Sequence, residues 1–128
     1  MLEEEEKQQN ILKEKEMKLP DKIRIGYQDV VIERERASFS KPTDSYGEYD
    51  HRKNSITIQS ELSNLDEANT LIHEILHGIS YINSLTVSGQ PLDTENKEEV
   101  VINQITNGLV QVLRDNPWIA PYLKDKIK

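Results

Sequence analysis

The sequence predicts an α+β fold: a small mixed or antiparallel sheet of about three to four strands, packed on two helices, with further helices at the N- and C-terminal ends. Three observations predict it. Segments between Lys22 and Gln59 are β-branched or alternate apolar with polar residues, the period of half-buried strands. The run Thr70 to Ile79 is apolar at helical spacing and carries His73-Glu74-Ile75-Leu76-His77. Beyond a Ser-, Gly-, Pro- and Asp-containing connection, Val101, Ile105, Leu109 and Val112 or Leu113 repeat at helical spacing again.

The elements follow in order. Residues 1–19 are dominated by Glu, Lys and Gln, with Leu2, Ile11, Leu12 and Met17 as the few apolar positions, and predict a charged surface helix ending before Leu19-Pro20. Residues 20–128 then form a single domain. Ile23 and Ile25 alternate with Lys22 and Arg24, and Val30, Val31 and Ile32 favour a pleated backbone. Gly26 to Asp29 reads as a tight turn between them, and 37–45 as a loop. Tyr46 to Asp50 and Ser55 to Gln59 predict a hairpin with Ile56 and Ile58 facing the core and His51 as a solvated residue at its tip. If Ser55 to Gln59 lies at an open sheet edge, an extended peptide can add to it as another strand.

Ser63 or Asn64 suits the N-cap of the next helix, and Asp66 and Glu67 suit the positive end of its dipole. This helix is expected to reach about Asn83. At about 100° per residue, Ile72, Leu76 and Ile79 form its core stripe, with His73 and His77 at the stripe's edge. A second helix is expected from Glu95 to about Arg114. Gly108 inside it costs about 1 kcal/mol relative to Ala, which close packing on Gly78 would offset. Asp115-Asn116-Pro117 breaks this helix, and Trp118, Ile119, Tyr122, Leu123 and Ile127 give a last helix an apolar side to lay against the core.

Composition narrows the chemistry. The absence of cysteine removes disulfides and thiolate metal sites and leaves His, Asp and Glu as ligands. A net charge of −7, from 23 acidic and 16 basic residues with no basic stripe, argues against nucleic acid as a partner. No apolar run approaches the roughly 18 residues of a membrane span, and the acidic start does not read as a secretory signal. The expected setting is cytoplasmic, with no membrane contact.

His73 and His77, four apart on a helix, can grip one metal ion from the same side. Neutral imidazole is a good zinc ligand, and catalytic zinc takes three protein ligands and leaves one position for water. Glu74 follows the first ligand, where its carboxylate can accept that water's proton. The bland alternative is a pair of inert polar residues on a helix flank, for which a glutamate between the histidines has no use. Asp93, Glu95, Glu98 and Glu99 are the acidic candidates for a third ligand. Asp93 and Glu95 precede the rigid part of the second helix. Glu98 shares a stripe with Ile102, Ile105 and Leu109. Glu99 shares a face with Asn103, whose carbonyl can accept a hydrogen bond from a ligand histidine. Glu99 is the choice.

With Tyr46-Gly47-Glu48-Tyr49, Ser55-Ile56-Thr57-Ile58, Thr70 to Ile79, Glu98-Glu99-Val100-Val101 and Asn107 to Leu113 in this order, the chain resembles a minimal gluzincin-like zincin. In detail it is similar to the ImmA/IrrE-type metallopeptidase-like proteins of phages and mobile elements, over roughly Lys22 to Pro117. The resemblance implies zinc held by His73, His77 and a glutamate of the next helix, Glu74 as general base, and hydrolysis of a protein or peptide substrate. In some relatives it implies control of a phage regulatory protein. The alternative is a catalytically silent, metal-binding regulatory or assembly protein of a phage-like element. For transition-state stabilisation, Tyr46, Tyr49, Tyr81 and His51 are all candidates.

Overall fold

The computed structural model of the chain describes residues 3–4, 17–36 and 46–128. The expected N-terminal helix lies mostly outside the described residues. Glu3 and Glu4 are helical, whereas residues 17–20 have no regular structure. The loop expected over 37–45 also lies outside them. The remainder is α+β, with a four-stranded mixed sheet and three helices.

The strands are β1 (Lys22–Ile25), β2 (Gln28–Glu35), β3 (Gly47–Asp50) and β4 (Ser55–Gln59), in spatial order β1-β2-β4-β3. β1 and β2 form an antiparallel hairpin whose two-residue loop begins with Gly26 at φ 59°, a positive value that suits glycine there. β3 and β4 form the expected second hairpin, and β2 joins it through a parallel pairing with β4, Val31 opposite Ser55. β4 is therefore paired on both sides. The idea that its edge receives an extended peptide is removed.

Alternation places Val30 and Ile32 of β2 and Ile56 and Ile58 of β4 on the same face, where with Ile25 they form the core. Helix α1 (Asn64–Ile82) lies over this face. Ser63 caps it, its hydroxyl accepting from the Asp66 N–H at 3.2 Å, and Arg34 of β2 pairs with Glu67 in its first turn. The side chains of α1 that reach the core are Leu71, Ile75 and Ile82. The expected stripe of Ile72, Leu76 and Ile79 is rotated away from it, with Ile79 40% exposed. The helix is apolar on two adjacent sides, and only the sheet decides between them. Gly78 sits on the sheet side. A Cβ there would stand 3.0 Å from Ile25 Cδ1 and 3.3 Å from Tyr49 Cε2, so Gly78 admits the sheet and not Gly108.

Helix α2 (Glu95–Asp115) is capped by Thr94, whose hydroxyl accepts from the Lys97 N–H, and packs on α1. Its buried residues are Ile102 and Thr106. Of the residues that repeat at helical spacing, Val101, Ile105, Leu109 and Val112 are exposed and Leu113 is half-buried. Helix α3 (Ile119–Lys126) has no buried residue, so its apolar side is not laid against the core as expected. Helix periodicity locates an apolar stripe but not what covers it.

Candidate metal centre

The three residues expected to hold a metal ion come together. Nε2 of His77 lies 3.1 Å from Nε2 of His73 and 2.9 Å from Oε1 of Glu99, and Nε2 of His73 lies 3.6 Å from Oε2 of Glu99. Donors held 2.0–2.1 Å from a tetrahedral zinc ion stand about 3.3 Å apart. Two separations fall just below that value and the third, to the other carboxylate oxygen, just above it, so the donor set stands near zinc-ligand spacing and closes on one ion with small shifts. The helix pair creates the triangle. His73 and His77 share a face of α1 one turn apart, and the N-terminal end of α2 brings Glu99 across from them.

Burial conditions each group. The His73 and His77 side chains are 19% and 14% exposed, whereas Glu99 is nearly half exposed. Burial, and then the neighbouring His77, holds the His73 pKa below its ordinary 6.5, which favours the neutral imidazole that a metal needs. Glu74 is buried with its Oε1 3.7 Å from His73 Nε2. Desolvation pushes its carboxyl up to about 7, against the pull of His77 and with help from Glu99, Glu48 and Glu98.

The histidine-orienting group is not the one expected. Asn103 is exposed and makes no hydrogen bond to a histidine among the described residues. Glu98 takes that place: its Oε1 lies 2.7 Å from Nδ1 of His77. In the tautomer that a metal at Nε2 requires, the Nδ1–H donates to the Glu98 carboxylate and the Nε2 lone pair faces Glu99 and His73. Sequence reasoning weighed Glu98 only as a rival ligand. Its adjacency to Glu99 was the available signal, because successive helical residues splay by about 100° and can meet two atoms of one ring.

A second contribution absent from the motif is Gly47. A Cβ there would lie 2.6 Å from Thr70 Cγ2, 3.0 Å from the Thr57 carbonyl oxygen and 3.3 Å from Glu74 Cγ. The glycine lets β3 press on α1 beside Glu74.

Among the described residues no hydrogen bond links the candidates for transition-state stabilisation to the triangle. Tyr49 and Tyr81 pack with ring centroids 6.4 Å apart, and His51 stacks on Tyr81 at 4.3 Å and 22°. They form an aromatic group near the C-terminal end of α1. His51 is thus in the turn at the hairpin tip, as expected, and exposed, but held by a ring partner. Tyr46 is 47% exposed. A separate shallow groove lies between the start of α1 and the end of α2, lined by Asp66, Asn69, Asn107, Gln111 and Arg114 and bridged by Asn69 to Asn107 at 3.3 Å.

The chain matches no protein-family model, no curated protein and no solved structure. No helix of the described residues is long and apolar enough to cross a membrane. The function therefore rests on the site itself.

Proposed function

We propose that the chain is a zinc-dependent metallopeptidase, with His73, His77 and Glu99 holding the ion and Glu74 as general base. The observation that carries this reading is the donor triangle at zinc-ligand spacing with a buried carboxylate on its rim. A purely structural metal site closes with four protein ligands and has no use for a base. Bound zinc supplies a Lewis acid and lowers the pKa of water towards about 7. The chain's own residues do the rest. Glu98 fixes the His77 proton on Nδ1, and burial keeps His73 neutral. Glu74 accepts the proton of the attacking water and returns it to the departing amine. In the metal-free chain its carboxyl sits at about 7, and the charge of a bound ion would draw it down towards the ionised form that accepts the proton. The substrate class is a protein or peptide. Following the family resemblance, we assign it to a regulatory protein of a phage or mobile element.

A second reading is a metal-binding regulatory or assembly protein without turnover. The apolar side chains exposed on α2 and α3 favour it, because they suit a protein that works by docking. Turnover separates the two. Purified protein should carry close to one zinc per chain and cleave members of a peptide library followed by mass spectrometry. Glu74→Gln should keep the zinc and lose about 10²–10⁴-fold in rate. Equal cleavage by both removes Glu74 as the base. Zinc-loaded wild type that cleaves nothing favours the second reading.

A further inference from the structure

The outer face of α2 is apolar and has no partner among the described residues. Val101, Ile105, Leu109 and Val112 are 37–52% exposed. On a helical wheel they centre roughly 90° from Ile102 and Thr106, the buried pair on the α1 side. Gly108 lies in the same stripe, and a Cβ built on it meets nothing within 4 Å. No contact within the described chain accounts for this glycine, although it costs the helix about 1 kcal/mol. It leaves a notch at mid-length on the flank of the apolar ridge, roughly 55° from its centre.

We propose that this face is a homodimer interface, in which α2 packs antiparallel on α2 of a second copy. With the two-fold axis between Ile105 and Gly108, Ile105 of each chain enters the notch at Gly108 of the other, and Val101 meets Val112. Large meets small at the centre, and the same patch serves both chains, as a two-fold interface requires. Charge supports the direction of packing. Lys97 and Asp115 lie at opposite ends of α2, near the same angle on the wheel. A two-fold antiparallel pair brings like flanks together, so Lys97 of each chain falls beside Asp115 of the other. Among the described residues Lys97 pairs with Asp93, an exposed contact at 3.0 Å. Trp118, Tyr122 and Leu123, at the start of and within α3, are 44–61% exposed as well. Glu99 lies roughly 120° from the centre of the stripe and Glu98 roughly 25° from it, so pairing leaves Glu99 outside the interface and sets Glu98, held by His77, at its edge.

The test is mass by light scattering over a dilution series of the full chain, with circular dichroism and zinc content measured in parallel. Wild type should show a dimer that dissociates on dilution. Ile105→Glu should weaken it at least 100-fold while leaving helicity and zinc content unchanged. Gly108→Leu should also weaken it by filling the notch, yet raise the melting temperature of the dilute monomer, because Leu is the better helix former. Lys97→Glu should weaken it, and adding Asp115→Lys should restore it. A dimer indifferent to all of these uses another face and overturns the proposal. So does a chain that stays monomeric. In that case an Ile105→Cys thiol, the sole cysteine in the chain, reports what covers the face. Slow labelling means the same chain covers it, and full-rate labelling leaves it to solvent or to a different protein.

Discussion

Glu98 and Glu99 approach the same imidazole from its two nitrogens, Glu98 at Nδ1 and Glu99 at Nε2. Their losses should therefore differ in kind. In the proposed site Glu99→Ala deletes a ligand and should abolish most zinc affinity in a competition titration. Glu98→Ala should weaken it about 10–100-fold, and Glu98→Gln should recover part of that because the amide oxygen still accepts from Nδ1. Near-wild-type affinity in Glu99→Ala with a large loss in Glu98→Ala would exchange the two roles. Glu74 makes a prediction for the metal-free protein. Its carboxyl binds a proton more tightly in the folded state, about 7 against an ordinary 4.5. Its contribution to stability is therefore complete below about 4.5 and drains away as pH rises through 7, by roughly 3 kcal/mol at 1.36 kcal/mol per unit. His73, lowered by burial, works the other way and costs stability as pH falls through its unfolded value. The difference between wild type and Glu74→Gln isolates the carboxylate. The variant should gain on wild type between about pH 5 and pH 8, and parallel stability curves would refute the burial cost. At this scale the grouping of His73, Glu74 and His77 was legible, since it depends on spacing along one helix. Glu98 and Gly47 were not. What each one touches belongs to another element, and neither the order of β3 beside α1 nor the phase of α2 is written locally.

Among the elements, the contact of β3 with α1 is the tightest constraint on the site. Gly47→Ala would drive a methyl into Thr70 Cγ2 and the Thr57 carbonyl. The cost should be about 1–3 kcal/mol, read as a lower denaturation midpoint with unchanged slope. Thr70→Ser removes the clashing methyl and should return part of the loss in the double variant. If Gly47→Ala is neutral, β3 does not set the position of Glu74. Caps and breakers made the elements' limits readable: Ser63 opens α1, α2 starts at Glu95, and Asn116-Pro117 follows its end. Their faces were harder to read. α1 is apolar on two sides, and α2 carries a fuller apolar stripe outward than inward, where Ile102 and Thr106 are its only fully buried side chains. A pattern that usually marks burial within a chain here marks surface left open by the described residues.

For the whole molecule, an ion bound only by the folded chain adds to its stability, by about 4 kcal/mol at a thousandfold excess over its dissociation constant. Chelation should therefore lower the melting temperature by several degrees, and His73→Ala/His77→Ala should melt alike with and without chelator. A chelator shift that survives in the double variant would place the ion elsewhere. The fold class and both hairpins were legible because they follow from alternation and turn residues near in sequence. The parallel joining of β2 to β4 was not, since its partners stand 24 residues apart, Val31 with Ser55 and Glu35 with Gln59. That seam has a kinetic side. Each hairpin can zip within microseconds from contacts a few residues away, but the seam yields nothing until the intervening chain has been closed into a loop, and that entropy is lost first. The sheet should therefore fold as two quick halves waiting on one slow junction, and a longer connection between β2 and β3 will be felt in how fast the chain folds more than in how long it stays folded.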